Sequence, residues 1–234
     1  TVTERGVCWS TNPNPTVSDN ILYNGTGLGS FICNINGLSN GSTYYLRSFA
    51  INSFGIAYGS QISFQTIIVC PSVINDVRDG NNYNVIQIGN QCWLQENLKY
   101  LPSVVEFGTN SRTTPYYYVY GYNGTNVITA KSTTNYITYG VLYNWTAALD
   151  ACPTGWHLPN DSEWEQMTDY LGGETVAGGK LKATGTIENS TGLWFEPNTG
   201  ANNETGFTAI PGGFCNQYNS DDIGETGKWW SSTW

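Results

Sequence analysis

The chain has 234 residues with 27 Gly, 9 Trp and 16 Tyr, but one Met, one His and only 12% charged residues. That composition excludes intrinsic disorder, which lacks aromatics and carries many charges, and a coiled coil, in which Ala, Glu, Lys and Leu dominate. A net charge of -9 with 9 Lys+Arg and no basic block excludes nucleic acid and anionic membrane as partners, and no apolar run of about 18 residues is present to span a bilayer.

Residues 1–66 read as all-β. Gly29-Ser30-Phe31-Ile32-Cys33-Asn34-Ile35 alternates apolar residues on one face, Thr43 to Asn52 gives a longer strand, and Ile62 to Thr66 a third. Turn signals at Asn12-Pro13, Asn24-Gly25 and Asn40-Gly41 separate them. Leu38-Ser39-Asn40-Gly41-Ser42-Thr43-Tyr44, followed by Ala50-x-Asn52-x-x-Gly55, resembles the second half of a fibronectin type III domain. The resemblance implies a tyrosine corner at Tyr44, whose hydroxyl bonds to upstream backbone. Glu4-Arg5-Gly6-Val7-Cys8-Trp9-Ser10 is similar to a subfamily of secreted Bacteroidota proteins. The first two strands of such a sandwich are not seen, so the expectation is a partial domain that serves as a spacer or binding module.

Residues 67–72 read as a linker, and a second domain is expected over 73–234. Tyr83 to Leu94 gives two β segments around Gly89-Asn90. Residues 102–139, polar and tyrosine-rich, read as a long insertion loop with short strands. Two helices are predicted. One covers Tyr143 to Asp150 and stops at Cys152-Pro153. The other starts at Asn160 as N-cap, with Glu163 completing a capping box, carries Trp164, Met167 and Leu171 on one face, and ends at Gly172-Gly173. From Leu193 onward the chain reads as strands and loops.

Six ordered islands carry a second resemblance. They are Val85 to Leu98, Gly140 to Ala148, Cys152-Pro153-x-Gly155-Trp156-His157-Leu158-Pro159, Glu163-Trp164, Gly206 to Gly213, and Trp229-Trp230-Ser231-Ser232-Thr233. Together they resemble the Fibrobacter succinogenes major paralogous domain. That resemblance implies an α+β, C-type-lectin-like fold of secreted and surface proteins, here with its last strands expected to be missing. Both chain ends read as cuts through a longer polypeptide.

Six cysteines, an even count, point to an oxidising, extracytoplasmic setting. Cys70 and Cys92 are the foremost disulfide candidates, with Cys152 and Cys215 as further ones. Pairing of Cys152 with Cys215 is one option, and the resemblance offers a cysteine in the missing segment as another. The alternative is that some of the six are buried free thiols. Seven Asn-x-Ser/Thr sequons occur, as chance allows in a chain rich in Asn and Thr.

The candidate sites compete with plainer readings. Leu158-Pro159-x-x-x-Glu163-Trp164-Glu165 is similar to formylglycine-generating enzymes, but no reactive cysteine pair is visible and Cys215 has no adjacent base in the sequence. His157 lacks a nucleophile motif and reads as a structural loop histidine. No catalytic residue is assigned. Glu196-Pro197-Asn198 matches the Ca²⁺- and sugar-binding tripeptide of C-type lectins, and Asp221 with Asp222 is a second oxygen-rich candidate for Ca²⁺, or simply a solvated turn. Tyr116, Tyr117, Tyr118 and Tyr120 are either ligand-gripping aromatics or staples for the insertion. The expectation is a non-enzymatic adhesion or recognition protein, extracellular or on the cell surface, that binds a glycan or a surface protein. The alternative is a structural subunit of a surface filament, completed by strands from neighbouring domains or subunits.

Overall fold

A computed structural model of the chain describes residues 1–216 and 218–233. It forms two compact units, Thr1–Val69 and Cys70–Trp234. Among the described residues no helix is long and apolar enough to cross a membrane.

The first unit is one antiparallel sheet of β1 (Glu4–Ser10), β2 (Asn20–Tyr23), β3 (Thr43–Asn52), β4 (Gly55–Tyr58) and β5 (Ile62–Gln65). The order runs β2-β1-β3, and β4 and β5 pair with successive halves of β3. Gly6 in β1 is forced by this packing: a Cβ there would lie 2.1 Å from the Leu22 carbonyl oxygen in β2. Val7 and Tyr44 are buried on one face of the sheet, and Cys8 and Phe49 on the other. The Tyr44 hydroxyl accepts from the Ser39 N–H at 3.1 Å, five residues upstream, and fixes the turn into β3.

The predicted strand at Gly29 to Ile35 is not one. The side chains do alternate, Phe31, Cys33 and Ile35 being half-buried while Ile32 and Asn34 are exposed. The Arg5 guanidinium lies 5.0 Å from the Phe31 ring centroid and holds the segment against β1. What is lacking is a neighbour: no described strand ladder reaches it.

The second unit opens with a meander of β6 (Val73–Asn75), β7 (Asn82–Ile88) and β8 (Gln91–Leu94). Then come β9 (Tyr117–Tyr118), the helices α1 (Val127–Lys131) and α2 (Thr134–Tyr139), β10 (Leu142–Tyr143), α3 (Trp145–Ala151), α4 (Asp161–Tyr170) and α5 (Glu174–Leu181). A hairpin of β11 (Gly212–Cys215) and β12 (Ser220–Ile223) follows. The described residues of this unit thus hold five helices where two were predicted, on a β-rich frame.

The three extra helices share a cause. α1 and α2 lie inside the stretch expected to be a loop, are only 5 and 6 residues long, and offer no helical periodicity to read. They are held instead by caps, Asn126 accepting from Thr129 N–H and Thr133 from Tyr136 N–H, and by burial of Ala130 and Tyr136. α5 carries Gly178 and Gly179, poor helix formers; Gly179 is required because a Cβ there would run into the Gly200 carbonyl, whereas Gly178 faces open space. The predicted α4 is confirmed with its capping box: Asn160 accepts from Glu163 N–H at 3.0 Å and Glu163 from Asn160 N–H at 2.9 Å.

Cys70 and Cys92 are disulfide-bonded, Cα atoms 5.6 Å apart, which ties the first residues of the unit to β8 and draws 70–72 out of the expected linker. Cys152 and Cys215 are free thiols, as are Cys8 and Cys33, so the further disulfide candidates are not realised.

A buried ion pair braces the meander against α3. Asp76 is 1% exposed, and its carboxylate accepts from Arg78 Nη2 at 2.6 Å and Nε at 2.8 Å. The same guanidinium donates to the Ala151 carbonyl at 2.6 Å and the Asp150 carbonyl at 3.3 Å, capping α3, and stacks 3.8 Å from the Tyr100 ring centroid. The Arg78 hydrogen bonds hold the Asp76 pKa below its ordinary value. A depressed carboxylate adds stability that is fully present above the unfolded pKa of about 3.9 and is lost as pH falls through the lower folded value. Asp76→Ala is therefore expected to destabilise the second unit by about 1–3 kcal/mol at pH 7, by removing the charged acceptor that orients the Arg78 guanidinium. In urea titrations the gap between wild type and variant should narrow below about pH 4. A gap that does not change with pH would show that the carboxylate charge is not what holds this corner.

Candidate functional site

The second unit is built from sheets of two or three strands, none closed on itself. Among the described residues β8 pairs only with β7, β10 only with β9, and β11 only with β12. These three strands, each paired along one edge, line one open cleft of about 1120 Å³. Its apolar wall comes from Trp93 on β8, Trp164 on α4, Phe207 and Trp229. These form an aromatic series: Trp164 to Trp93 centroids are 4.8 Å apart, Trp93 to Phe207 6.2 Å, and Phe207 to Trp229 6.2 Å. Trp93 and Phe207 are buried and serve as foundation, whereas Trp229 and Trp230 are 40% and 47% exposed and present ring surface.

Indole N–H groups fix the strap that carries Trp229 and Trp230. Trp164 Nε1 donates to the Trp230 carbonyl at 3.3 Å, Trp145 Nε1 to the Ser231 carbonyl at 2.9 Å, and Trp230 Nε1 to the Tyr143 carbonyl at 2.7 Å. Backbone adds Ser232 N–H to the Pro159 carbonyl at 2.8 Å, and Asp161 N–H donates to Thr233 Oγ1 at 3.1 Å, at the start of α4. The motif islands far apart in sequence are thus one hydrogen-bonded assembly.

Part of the polar cleft wall lies at the start of α4. His157 Nε2 lies 2.8 Å from Glu163 Oε1, and Gln91 Nε2 donates to the Glu163 carbonyl at 3.0 Å. Gln91 Oε1 and Trp93 Nε1, two residues apart on β8 and so on one face, are buried and have no hydrogen-bond partner among the described residues. His157 is 70% exposed and meets only a carboxylate that is already occupied in capping α4. No serine, threonine or cysteine hydroxyl or thiol is hydrogen-bonded to His157 among the described contacts, so the pair has the geometry of a helix-start brace rather than of a nucleophile-activating dyad.

Cys152 and Cys215 both line the cleft. Burial pushes the Cys152 thiol up to about 11, with Arg78 opposing, and burial together with Asp221 pushes Cys215 up to about 12. Thiols so raised are neutral near neutral pH, and nucleophilic and oxidation chemistry needs the thiolate. Iodoacetamide at pH 7.5 should therefore label both residues much more slowly in the native chain than after unfolding in urea, as read by mass spectrometry. Native labelling as fast as in urea would revive the reactive-thiol reading of Cys215.

The other sequence candidates fall in separate places. Tyr117 and Tyr118 are buried on β9, with Tyr117 in the core around Val119 and Tyr136, and Tyr118 reaching the cleft wall. Tyr116 and Tyr120 are half-buried. The alternation of a short strand sends these rings to different faces, so the four do not form one platform.

Glu196, Asn198 and Glu225 line a second, smaller hollow with Lys182. Glu196 Oε1 accepts from Asn189 Nδ2 at 2.7 Å, and Asn198 Nδ2 donates to the Ala183 and Gly185 carbonyls at 3.1 and 2.9 Å. The side-chain oxygen Oδ1 of Asn198 is left without a partner among the described residues. Asp221 and Asp222 lie on β12, where Asp221 Oδ2 accepts from Asn216 Nδ2 at 2.6 Å. Glu196, Asp221 and Asp222 are not brought together as a cluster of potential metal ligands among the described residues. The ammonium of Lys182, 5.1 Å from the Trp194 ring centroid, adds positive charge beside the Glu196 hollow.

The sequence reading found every aromatic island of the cleft but assigned none of them to a site. The available signal was that Trp93, Trp156, Trp164, Trp229 and Trp230 recur in short motifs separated by polar stretches. What defines this unit is a loop-rich β-frame with a tryptophan-lined cleft held by indole hydrogen bonds. The chain belongs to the Fibrobacter succinogenes major domain family, which matches residues 86–234. No curated protein and no solved structure matches it.

Proposed function

We propose that the chain is a non-enzymatic recognition module of a secreted or cell-surface adhesin, and that its ligand, a glycan or a surface protein, enters the tryptophan-lined cleft of the second unit. The observation that carries this reading is the exposed ring surface of Trp229 and Trp230 on a strap rigidly bonded to α3 and α4. Such rings are apolar in body and polar at the tip, which suits both sugar faces and protein side chains. The disulfide Cys70–Cys92 supports an oxidising compartment. The raised thiols and the occupied His157–Glu163 pair favour binding over catalysis.

In this reading the first unit is a fibronectin-type-III-like spacer, supported by the Tyr44 hydroxyl bond to Ser39. The second unit is C-type-lectin-like, supported by its two-helix motif region and paired short strands, but its ligand site lies in the cleft and not at Glu196-Pro197-Asn198. A second reading, a structural subunit of a surface polymer, is favoured by the one-sided pairing of β8, β10 and β11.

Glycan-array binding with and without EDTA tests the first reading. Binding should survive EDTA and Glu196→Gln, and should weaken about thirtyfold, or ~2 kcal/mol, in Trp230→Ala and in Trp156→Ala. Binding abolished by EDTA or by Glu196→Gln, and retained in both tryptophan variants, would move the site to the smaller hollow and its calcium chemistry.

A further inference from the structure

We propose that the cleft takes an extended polypeptide, which adds as a strand to the open edge of β8, with apolar side chains at alternate positions and a basic one beside Glu96. The proposal rests on the recognition reading of the cleft and commits it to a protein ligand rather than a glycan.

The register of the meander fixes which groups are open. The β7–β8 hairpin turns at Gly89-Asn90 with Ile88 opposite Gln91, and further along the Gln95 N–H donates to the Asn84 carbonyl at 2.9 Å. Val85 N–H, next to Asn84 on β7, donates instead to the Ser72 carbonyl at 2.9 Å, on the β6 side. Ladder bonds alternate along an antiparallel pair. Gln91, Trp93 and Gln95 therefore turn their N–H and carbonyl groups toward β7, while Cys92 and Leu94 turn theirs to the other edge. None of those four outward groups takes part in a hydrogen bond among the described residues, and both residues line the cleft.

β10 shows an edge that the chain covers itself. Its register with β9, and the Asn144 N–H bond to the Tyr116 carbonyl at 3.1 Å, put Val141 and Tyr143 on the outward side. There the Val141 N–H donates to the Leu98 carbonyl at 3.0 Å, and the Tyr143 carbonyl accepts from Trp230 Nε1 at 2.7 Å.

The β8 edge specifies its occupant. Its donors and acceptors recur at every second residue, about 7 Å apart, a repeat that the main chain of another strand matches and the hydroxyls around a sugar ring do not. On the Trp93 face the wall continues into Trp164 and Phe207, so every second side chain of an added strand meets apolar rings. Glu96, just past the end of β8, is exposed and in no ion pair among the described residues. In a chain of net charge -9 it complements a Lys or Arg of the ligand.

Selection of a displayed library of random short peptides on the chain, followed by hydrogen exchange of the complex read by NMR, tests this. Enriched peptides should alternate apolar residues and carry Lys or Arg toward one end. They should slow the Cys92 and Leu94 amides, which exchange fast in the free chain while those of Gln91 and Trp93 are slow. Glu96→Gln should weaken them about threefold. N-methylation of an enriched peptide at alternate residues should weaken binding about tenfold in one register and little in the other. No enrichment would overturn the proposal, as would peptides that leave Cys92 and Leu94 unchanged or respond equally to both N-methyl registers. Slow Cys92 and Leu94 amides in the chain alone would also overturn it: at every concentration they would mean an edge covered from within, and only at high concentration a second copy. Glycan binding that is lost in Trp230→Ala, without peptide enrichment, would leave the recognition reading intact while this proposal fails.

Discussion

Among the described residues both units contain strands paired along one edge and left open along the other, β2, β4 and β5 in the first and β8, β10 and β11 in the second, and much of the structure follows from how those open edges are managed. A backbone N–H or carbonyl that leaves water without a partner costs on the order of a hydrogen bond, so short sheets must be covered by something. In the second unit the cover is aromatic. Indole N–H groups of Trp145, Trp164 and Trp230 reach carbonyls on other elements, and their rings fill the space that a larger sheet would occupy. The result is a cleft whose wall is rigid at its base, where Trp93 and Phe207 are buried, and accessible at its rim.

The electrostatics fit the same picture. Nine basic residues leave little charge to place, and the one deeply buried carboxylate, Asp76, is matched by the Arg78 that also caps α3. Lys228 lies 3.5 Å from the Phe214 ring centroid and Lys182 over Trp194, so cations are spent on aromatic faces rather than on ligand-facing clusters. The thiols within the cleft are kept protonated by burial, which lets them persist unpaired beside a disulfide in the same unit.

Local signals were legible in the sequence where they are strong. The α4 start, from Asn160 to Glu163, announces itself because a capping box satisfies two orphan amides with two side chains four positions apart at most. The β3 strand and the Gly89-Asn90 turn are equally direct, and the disulfide candidate Cys70–Cys92, offered on the even cysteine count, is formed. The failures are of another kind. α1 and α2 are too short to show a period, and α5 contains two glycines, of which Gly179 permits the close approach of Gly200. Phe31 to Ile35 has the alternation of a strand, but alternation reports only which side chains are covered, and a strand also needs a neighbour. The cleft itself was illegible because it is made of six islands whose proximity depends on long-range hydrogen bonds, such as Trp145 to Ser231, 86 residues apart.

The account depends on the cleft, rather than the Glu196 hollow, being where a ligand meets the chain. Hydrogen exchange of the second unit with and without a glycan selected on the array measures this directly. Slowed exchange at Gln91–Leu94, Gly212–Cys215 and the Trp229–Ser232 strap is the expected result. Protection confined to Glu196–Asn198 and the β11–β12 turn, with those three segments unchanged, would contradict it.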